Sequence, residues 1–391
     1  MKRLLVLVAV VTAAAAGVLV LTGFTSGQQQ FRGTVYIGMD APLTGPQAIV
    51  GQGDREAVNA LVRYWNRQGG INRRRVVVDI LDNASNPSQA VQNVQRFVAD
   101  RKYVAILGSG NAAAAVATAP LATEGRIPFL ALSPPTPLIS PAPRPYVYVA
   151  LPTDRLYAYS MARYLRSLRI QRIALIGDNG GFGRGGIAQV KALARAYGFT
   201  ITDEIVFAPT QTSFAAELSK VRNSDAQALW VWTVTPPGAT IVKEFRQLRL
   251  PQRLVLTGGN LSQQFLEATC PDVNGALVNS FLGVVWQQLP RNHPSRRQAQ
   301  LVQRLVGKPI SVFHVDASTS FFALKAAMER GGFTREAINT ALETKLRRLP
   351  TPGGRLYFGP RNHSGVQMDS MWAGRIAQCK PRALFGASFQ R

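Results

Sequence analysis

Three short runs hold the residues that could do chemistry. Gly181-Phe182-Gly183-Arg184-Gly185-Gly186 has the G-x-G-x-x-G spacing of a dinucleotide loop, and Asp203 follows at a distance suited to a ribose contact. The apolar run before it, RIALIG, already ends at Gly177, so these glycines come too late for a turn that must begin at the strand end. The run reads better as a Gly-rich loop that can offer the Phe182 ring to a ligand. Gly108-Ser109-Gly110-Asn111 follows YVAIL and precedes an Ala-rich stretch. A hydroxyl and bare backbone N–H groups at a helix start can hold a carboxylate. Ser109 or Asn111 can equally be the helix N-cap, and the two roles can coexist. Ser133-Pro134-Pro135-Thr136 follows IPFLAL; its hydroxyls share a crevice with Ser109 if the two strands are neighbours, and otherwise form a rigid proline loop. No G-x-S-x-G elbow occurs, and His293, His314 and His363 are scattered, which argues against a nucleophilic serine or a zinc site. Neither covalent catalysis nor a cofactor is expected.

Loops of this kind need strands behind them. Apolar runs at 34–39, 75–81, 103–108, 127–132, 146–149, 172–177, 201–207, 228–234, 253–257 and 276–282 alternate with stretches of helical spacing. Val58, Leu61, Val62 and Trp65 make one stripe; Val91, Val94 and Val98 make another, opened by Pro87-Ser88. Short buried strands alternating with helices predict an α/β protein with parallel, doubly wound sheets. The first series ends in residues 133–145, where six of thirteen residues are proline. A second series opens with the strand ahead of Gly177. A long helix is expected around 318–330 and a hairpin-like segment over 354–375. Trp230 and Trp232 lie two apart on a strand and read as core, which leaves residues 233–237 better placed to touch a ligand.

At 391 residues and 46% hydrophobic, the chain can bury two cores of ordinary domain size. Residues 1–3 are basic at Lys2 and Arg3, and residues 4–24 are uncharged and mostly apolar, the pattern of an export signal. Phe24 stands where a lipoprotein would need cysteine. Cleavage ahead of residues 28–30 and retention as an N-terminal anchor are both open. The two cysteines, Cys270 and Cys379, lie 109 positions apart without redox or metal spacing; outside the cytosol such a pair forms a disulfide, the alternative being two buried thiols. The net charge of +24 is spread out, and its tightest group, Arg73-Arg74-Arg75, has no interleaved aromatics. This excludes nucleic acid as the expected partner and leaves an Arg-rich, solvated surface suited to anionic lipid or wall polymer.

Residues 35–71 read as a strand, a polar turn (Pro42, Thr44, Gly45, Pro46) and an amphipathic helix stopped by Gly69-Gly70. This run resembles the N-terminal signature of extracytoplasmic solute-binding proteins of the leucine/isoleucine/valine-binding type, the receptors of ABC importers. The matching residues are Gly38, Pro42-Leu43-Thr44-Gly45, Gly51 and Gly69-Gly70-Ile71, and the likeness extends over about residues 33–375. The resemblance implies two Rossmann-like lobes joined by three hinge crossovers, closing on a ligand. By that reading residues 1–30 are signal or anchor, lobe 1 comprises 31–151 and 280–347, and lobe 2 comprises 152–279 and 348–391.

Family roles carried over by the resemblance put the ligand's carboxylate on Ser109, beside Gly110 and Asn111, and on Ser133 and Thr136, beside Pro134. They put an aromatic contact on Phe182 and another contact on Thr235. Two positions depart from the family pattern. Its tyrosine before the first helical glycine is Val50, and its ammonium-binding acid falls near Gly259-Asn260, where no carboxylate exists. A buried ammonium without an anion is costly, so a carboxylate or amide fits better than leucine unless Asp178 or Asp316 replaces the acid. The expected function is capture of a small carboxylate- or amide-bearing solute by a monomer that delivers it to an ABC permease. A membrane-anchored sensor is the alternative, and an NAD-dependent or hydrolytic enzyme is disfavoured by the sites above.

Overall fold

The computed structural model describes residues 31–384; the leader reading at residues 4–24 falls outside them. The chain begins β1 (Thr34–Ala41), α1 (Ala48–Arg67), β2 (Arg75–Asp82), α2 (Pro87–Ala99), β3 (Tyr103–Leu107), α3 (Ala112–Glu124), β4 (Phe129–Ala131) and β5 (Val147–Val149). These five strands form an all-parallel sheet in the order β2-β1-β3-β4-β5. Helices cover both faces of such a sheet, which is why YVAIL and FLA are apolar at every position instead of alternating.

α1 shows how one element is specified. Ala57, Val58, Leu61 and Trp65 form its buried stripe, and the Trp65 ring lies 4.6 Å from that of Phe321. The helix ends at Gly69-Gly70, with φ of 92° and 76°. A Cβ on Gly70 would sit 1.9 Å from the Arg74 carbonyl oxygen, so the reversal into β2 requires glycine.

The second series is α4 (Asp154–Ser167), β6 (Arg172–Asp178), α5 (Gly181–Tyr197), β7 (Thr200–Phe207), α6 (Ala215–Arg222), β8 (Ala228–Trp232), α7 (Pro237–Gln247), β9 (Arg253–Leu256), α8 (Gln263–Thr269) and β10 (Leu277–Phe281). Its parallel order, β7-β6-β8-β9-β10, repeats that of the first sheet. Trp230 and Trp232 are both buried within it, their rings 5.6 Å apart.

α9 (Pro294–Val306), α10 (Val312–Gly331) and α11 (Arg335–Thr344) then lead the chain back to the first sheet. α10 packs on α1, and the guanidinium of Arg335 donates to the carbonyls of Tyr103, Gly125 and Val98. β11 (Arg347–Thr351) and β12 (Gly354–Tyr357) pair with each other, and β13 (Met371–Ala377) and β14 (Lys380–Leu384) extend the second sheet antiparallel beyond β10. The single hairpin expected over 354–375 is therefore two separate pairings. The reason lies in the intervening loop, which returns to β5: the Val149 N–H donates to His363 O (2.9 Å) and the Gly365 N–H to Val149 O (2.8 Å). Cys270 and Cys379 are bonded, Cα atoms 5.6 Å apart, tying the end of α8 to the β13–β14 turn. No described helix is long and apolar enough to cross a membrane.

Candidate ligand-binding site

Each sheet has a switch point, between β1 and β3 in the first and between β6 and β8 in the second. Loops leaving the carboxyl ends of such strands diverge and open a crevice. A cavity of about 50 Å³ lies among these loops. The first sheet supplies Val50 after β1, Gly110 and Ala112 after β3, and Ser133 and Pro134 after β4; the second supplies Phe182, Val234 and Gly259 after β6, β8 and β9. Tyr157 of α4 and Phe313 and Asp316 of α10 complete the wall.

Of the positions expected from sequence, Val50, Gly110, Ser133, Pro134, Phe182 and Gly259 line the cavity. The others are not among its lining residues. Ser109 is wholly buried and its Oγ accepts from Asn83 Nδ2 at 2.8 Å. Asn111 caps α3, its Oδ1 accepting from the Ala114 N–H at 3.0 Å. The Thr136 hydroxyl accepts from the Arg155 N–H. Asn260 is buried against Gly238, where a Cβ would come 2.6 Å from its Nδ2. Thr235 lies one residue past the lining Val234. The Ser133 hydroxyl donates to Ser109 O at 2.7 Å, so towards the cavity it can only accept. The turn after β1 is likewise occupied, since Leu43 N–H and the Thr44 hydroxyl both donate to Asp82.

Close approach shapes the far wall. A Cβ on Gly181 would sit 2.7 Å from Ala113 N, so the start of α5 abuts the start of α3 across the cavity. A Cβ on Gly258 would reach 2.8 Å from the Tyr157 hydroxyl. The Phe182 ring rests 5.5 Å from Trp232.

Charge in and behind the wall comes from two acids, of which sequence reading offered Asp316, alongside Asp178, as a replacement for the family's acid, and did not offer Asp54. Asp316 lines the cavity and Asp54 of α1 lies behind Gly110, where a Cβ would be 2.9 Å from its Oδ2. Burial pushes both carboxyls well above the usual carboxylate range, and the proximity of Asp316 adds to the effect on Asp54. Asp178, the other acid considered, is engaged locally: its Oδ1 accepts from the Gly180 N–H at 2.9 Å. The setting of Asp316 is what favours it over Asp178: it is an acid on a helix, flanked by Val315 and Ala317. Such an acid is rarely buried without a purpose.

His314 and His363 are structural. The first forms a capping box with Ser311 and meets Glu56; the second stacks on Tyr148 and hydrogen-bonds the Val147 carbonyl. Among the described residues no group of three or more His, Cys, Asp or Glu could hold a metal ion.

Residues 34–380 match the family model described as periplasmic binding protein. The chain belongs to that family. Relatives among periplasmic binding proteins include the Leu/Ile/Val-binding protein BraC3 of Rhizobium johnstonii, 24% identical over 88% of this chain and 93% of its own. A Leu/Ile/Val-binding protein homologue of Brucella melitensis is 25% identical over 78% of this chain and 82% of its own. Solved structures of the same fold include the leucine-binding protein LivK of Thermotoga maritima (TM-score 0.80, 19% identity, 90% of this chain and 98% of that one). LivJ of Streptococcus pneumoniae, solved with isoleucine, gives a TM-score of 0.78 at 19% identity over 89% of this chain and 97% of that one. A solute-binding protein of Rhodopseudomonas palustris, solved with benzoate, gives 0.79 at 16% identity over 90% and 95%. The fold is thus that of type I periplasmic binding proteins, a family of extracytoplasmic solute receptors.

Proposed function

We propose that this protein captures a small solute outside the cytoplasm by closing two lobes on it and delivers it to an ABC permease. The lobes are residues 31–151 with 280–347, and 152–279 with 348–391. The observation that carries the reading is the cavity walled from both sheets at their switch points. Its two ends differ in polarity. Gly110 and Ala112 stand at the start of α3, where first-turn N–H groups have no partner within the helix and favour an anionic or carbonyl oxygen. Asp316 stands on another element as an acceptor. An amino acid or an amide uses both, and a simple carboxylate the first alone. The isoleucine- and benzoate-bound relatives fall within that range.

Binding would draw the open–closed equilibrium towards the closed form by its differential affinity for it. Ser133 and Gly110 would contact the solute from lobe 1, and Phe182, Val234 and Gly259 from lobe 2, with Ser109 and Asn111 holding the first loop in shape. Thermal unfolding against branched-chain amino acids, aliphatic and aromatic carboxylates and amides tests this. A solute at 100 times its dissociation constant adds about 2.7 kcal/mol, a shift of several degrees for a protein of this size. No shift across the panel would contradict solute capture.

A further inference from the structure

Asp316 is an acceptor that the protein leaves without a donor. It is 7% exposed and lies in the cavity wall, and its Oδ1 is fully buried with no hydrogen-bond partner. Asp54, 0% exposed behind Gly110, has no partner at either oxygen. No hydrogen bond joins the two carboxyls, so they do not satisfy each other by sharing a proton. The cavity wall contains no lysine, arginine or histidine that could neutralise them, and its largest side chains are the rings of Tyr157, Phe182 and Phe313. Buried carboxylates without donors are strongly disfavoured. Aromatic faces attract cations, most strongly where water is excluded. An unpartnered acid, a second acid behind it and three rings make a surface that is incomplete until a positively charged donor arrives.

Building on the solute-capture reading, we propose that the solute carries a cationic nitrogen, a primary ammonium or an amidinium, seated on Asp316. Asp54 is the rear carboxyl; held protonated by burial in the empty protein, it adds negative potential where a bound cation favours its ionised form. A carboxylate on the solute then becomes optional, and a solute with only a carboxylate is the poorer fit. The burial that holds Asp316 protonated in the empty protein is relieved when a cation pairs with it, so the acid serves recognition without destabilising the closed form.

The test is calorimetric titration of the purified protein with two pairs matched in shape: leucinamide against 4-methylpentanamide, and benzylamine against benzoate. An amine is expected to bind at least tenfold more tightly than its uncharged or anionic partner. Asp316→Asn, nearly isosteric, is expected to abolish that preference while leaving the protein folded, and Asp54→Asn to weaken it by less. Equal binding within the pairs, or a preference that survives in Asp316→Asn, overturns the assignment and leaves solute capture standing. Silence from both amines also overturns it. Silence from the wider thermal panel as well overturns capture itself.

Discussion

Two buried acids in this protein, Asp40 and Asp316, are of one residue type and nearly equal burial, yet the fold treats them differently. Asp40, at the end of β1, is 0% exposed and accepts from Asn83 Nδ2 at 2.7 Å and from Asn93 Nδ2 at 2.9 Å. Burial raises its pKa, and hydrogen bonds from Asn93, Asn83 and Ser109 pull it back. Asp316 receives no such help, and neither does Asp54. A satisfied buried network rigidifies the fold around it, whereas an unsatisfied one needs an explanation outside the protein. The contrast separates the polar groups that build the loops from those that face the cavity. It also accounts for Ser109, which belongs with Asp40 and not with the ligand wall.

The largest expected effect falls on the satisfied site. Asp40→Ala strands the Asn83 and Asn93 amides on one side each and should cost on the order of 2–4 kcal/mol of stability, read by denaturant unfolding. Solute affinity of the folded fraction should barely change. If stability is untouched instead, the network is not structural and the comparison fails. Asp316→Asn should do the reverse, lowering affinity for an amine at least tenfold, about 1.4 kcal/mol, without loss of stability.

The third expectation concerns pH. The carboxyls of Asp54 and Asp316 are raised above 3.8 in the folded protein. Their stabilising contribution is therefore full below that value and is lost as pH rises through the folded pKa, because the native state holds the protons more tightly. Asp54→Asn and Asp316→Asn remove this loss. Without solute, each variant should unfold at a higher temperature than wild type at pH 7, with the gap closing at about pH 3. A gap that widens on acidification would have the wrong sign for unpaired acids.

The smallest effect is expected at the seam. Gly181→Ala places a methyl 2.7 Å from Ala113 N, where α5 meets α3. It should weaken binding several-fold by hindering closure, with no change in unfolding temperature of the empty protein.

Much of the architecture was legible because the central parallel strands such as β3, β4 and β8 are apolar throughout and are followed by small or polar residues. Those endings place Gly110, Ser133, Phe182 and Gly259 on the cavity, since loops at and beside a switch point line the crevice whatever their sequence. Hydroxyls and side-chain amides were harder to read. Ser109, Asn111 and Thr136 have the right chemistry, but each first meets a nearby amide or backbone N–H, and that local bond wins. Tyr157 escaped motif reading because it sits on α4 and not in a loop, and Asp316, named only as a replacement for the missing acid, enters the cavity on α10 through the return of the chain. The missing acid at Gly259-Asn260 is a true feature of the sequence. The proposed replacement by Asp316 depends on how α10 packs on α1, which periodicity does not encode.

The most direct test of capture between closing lobes is small-angle X-ray scattering of the purified protein, titrated with a solute that raises its unfolding temperature. The radius of gyration should fall to a plateau as the site fills. A solute that binds at this cavity and leaves the radius unchanged would contradict lobe closure.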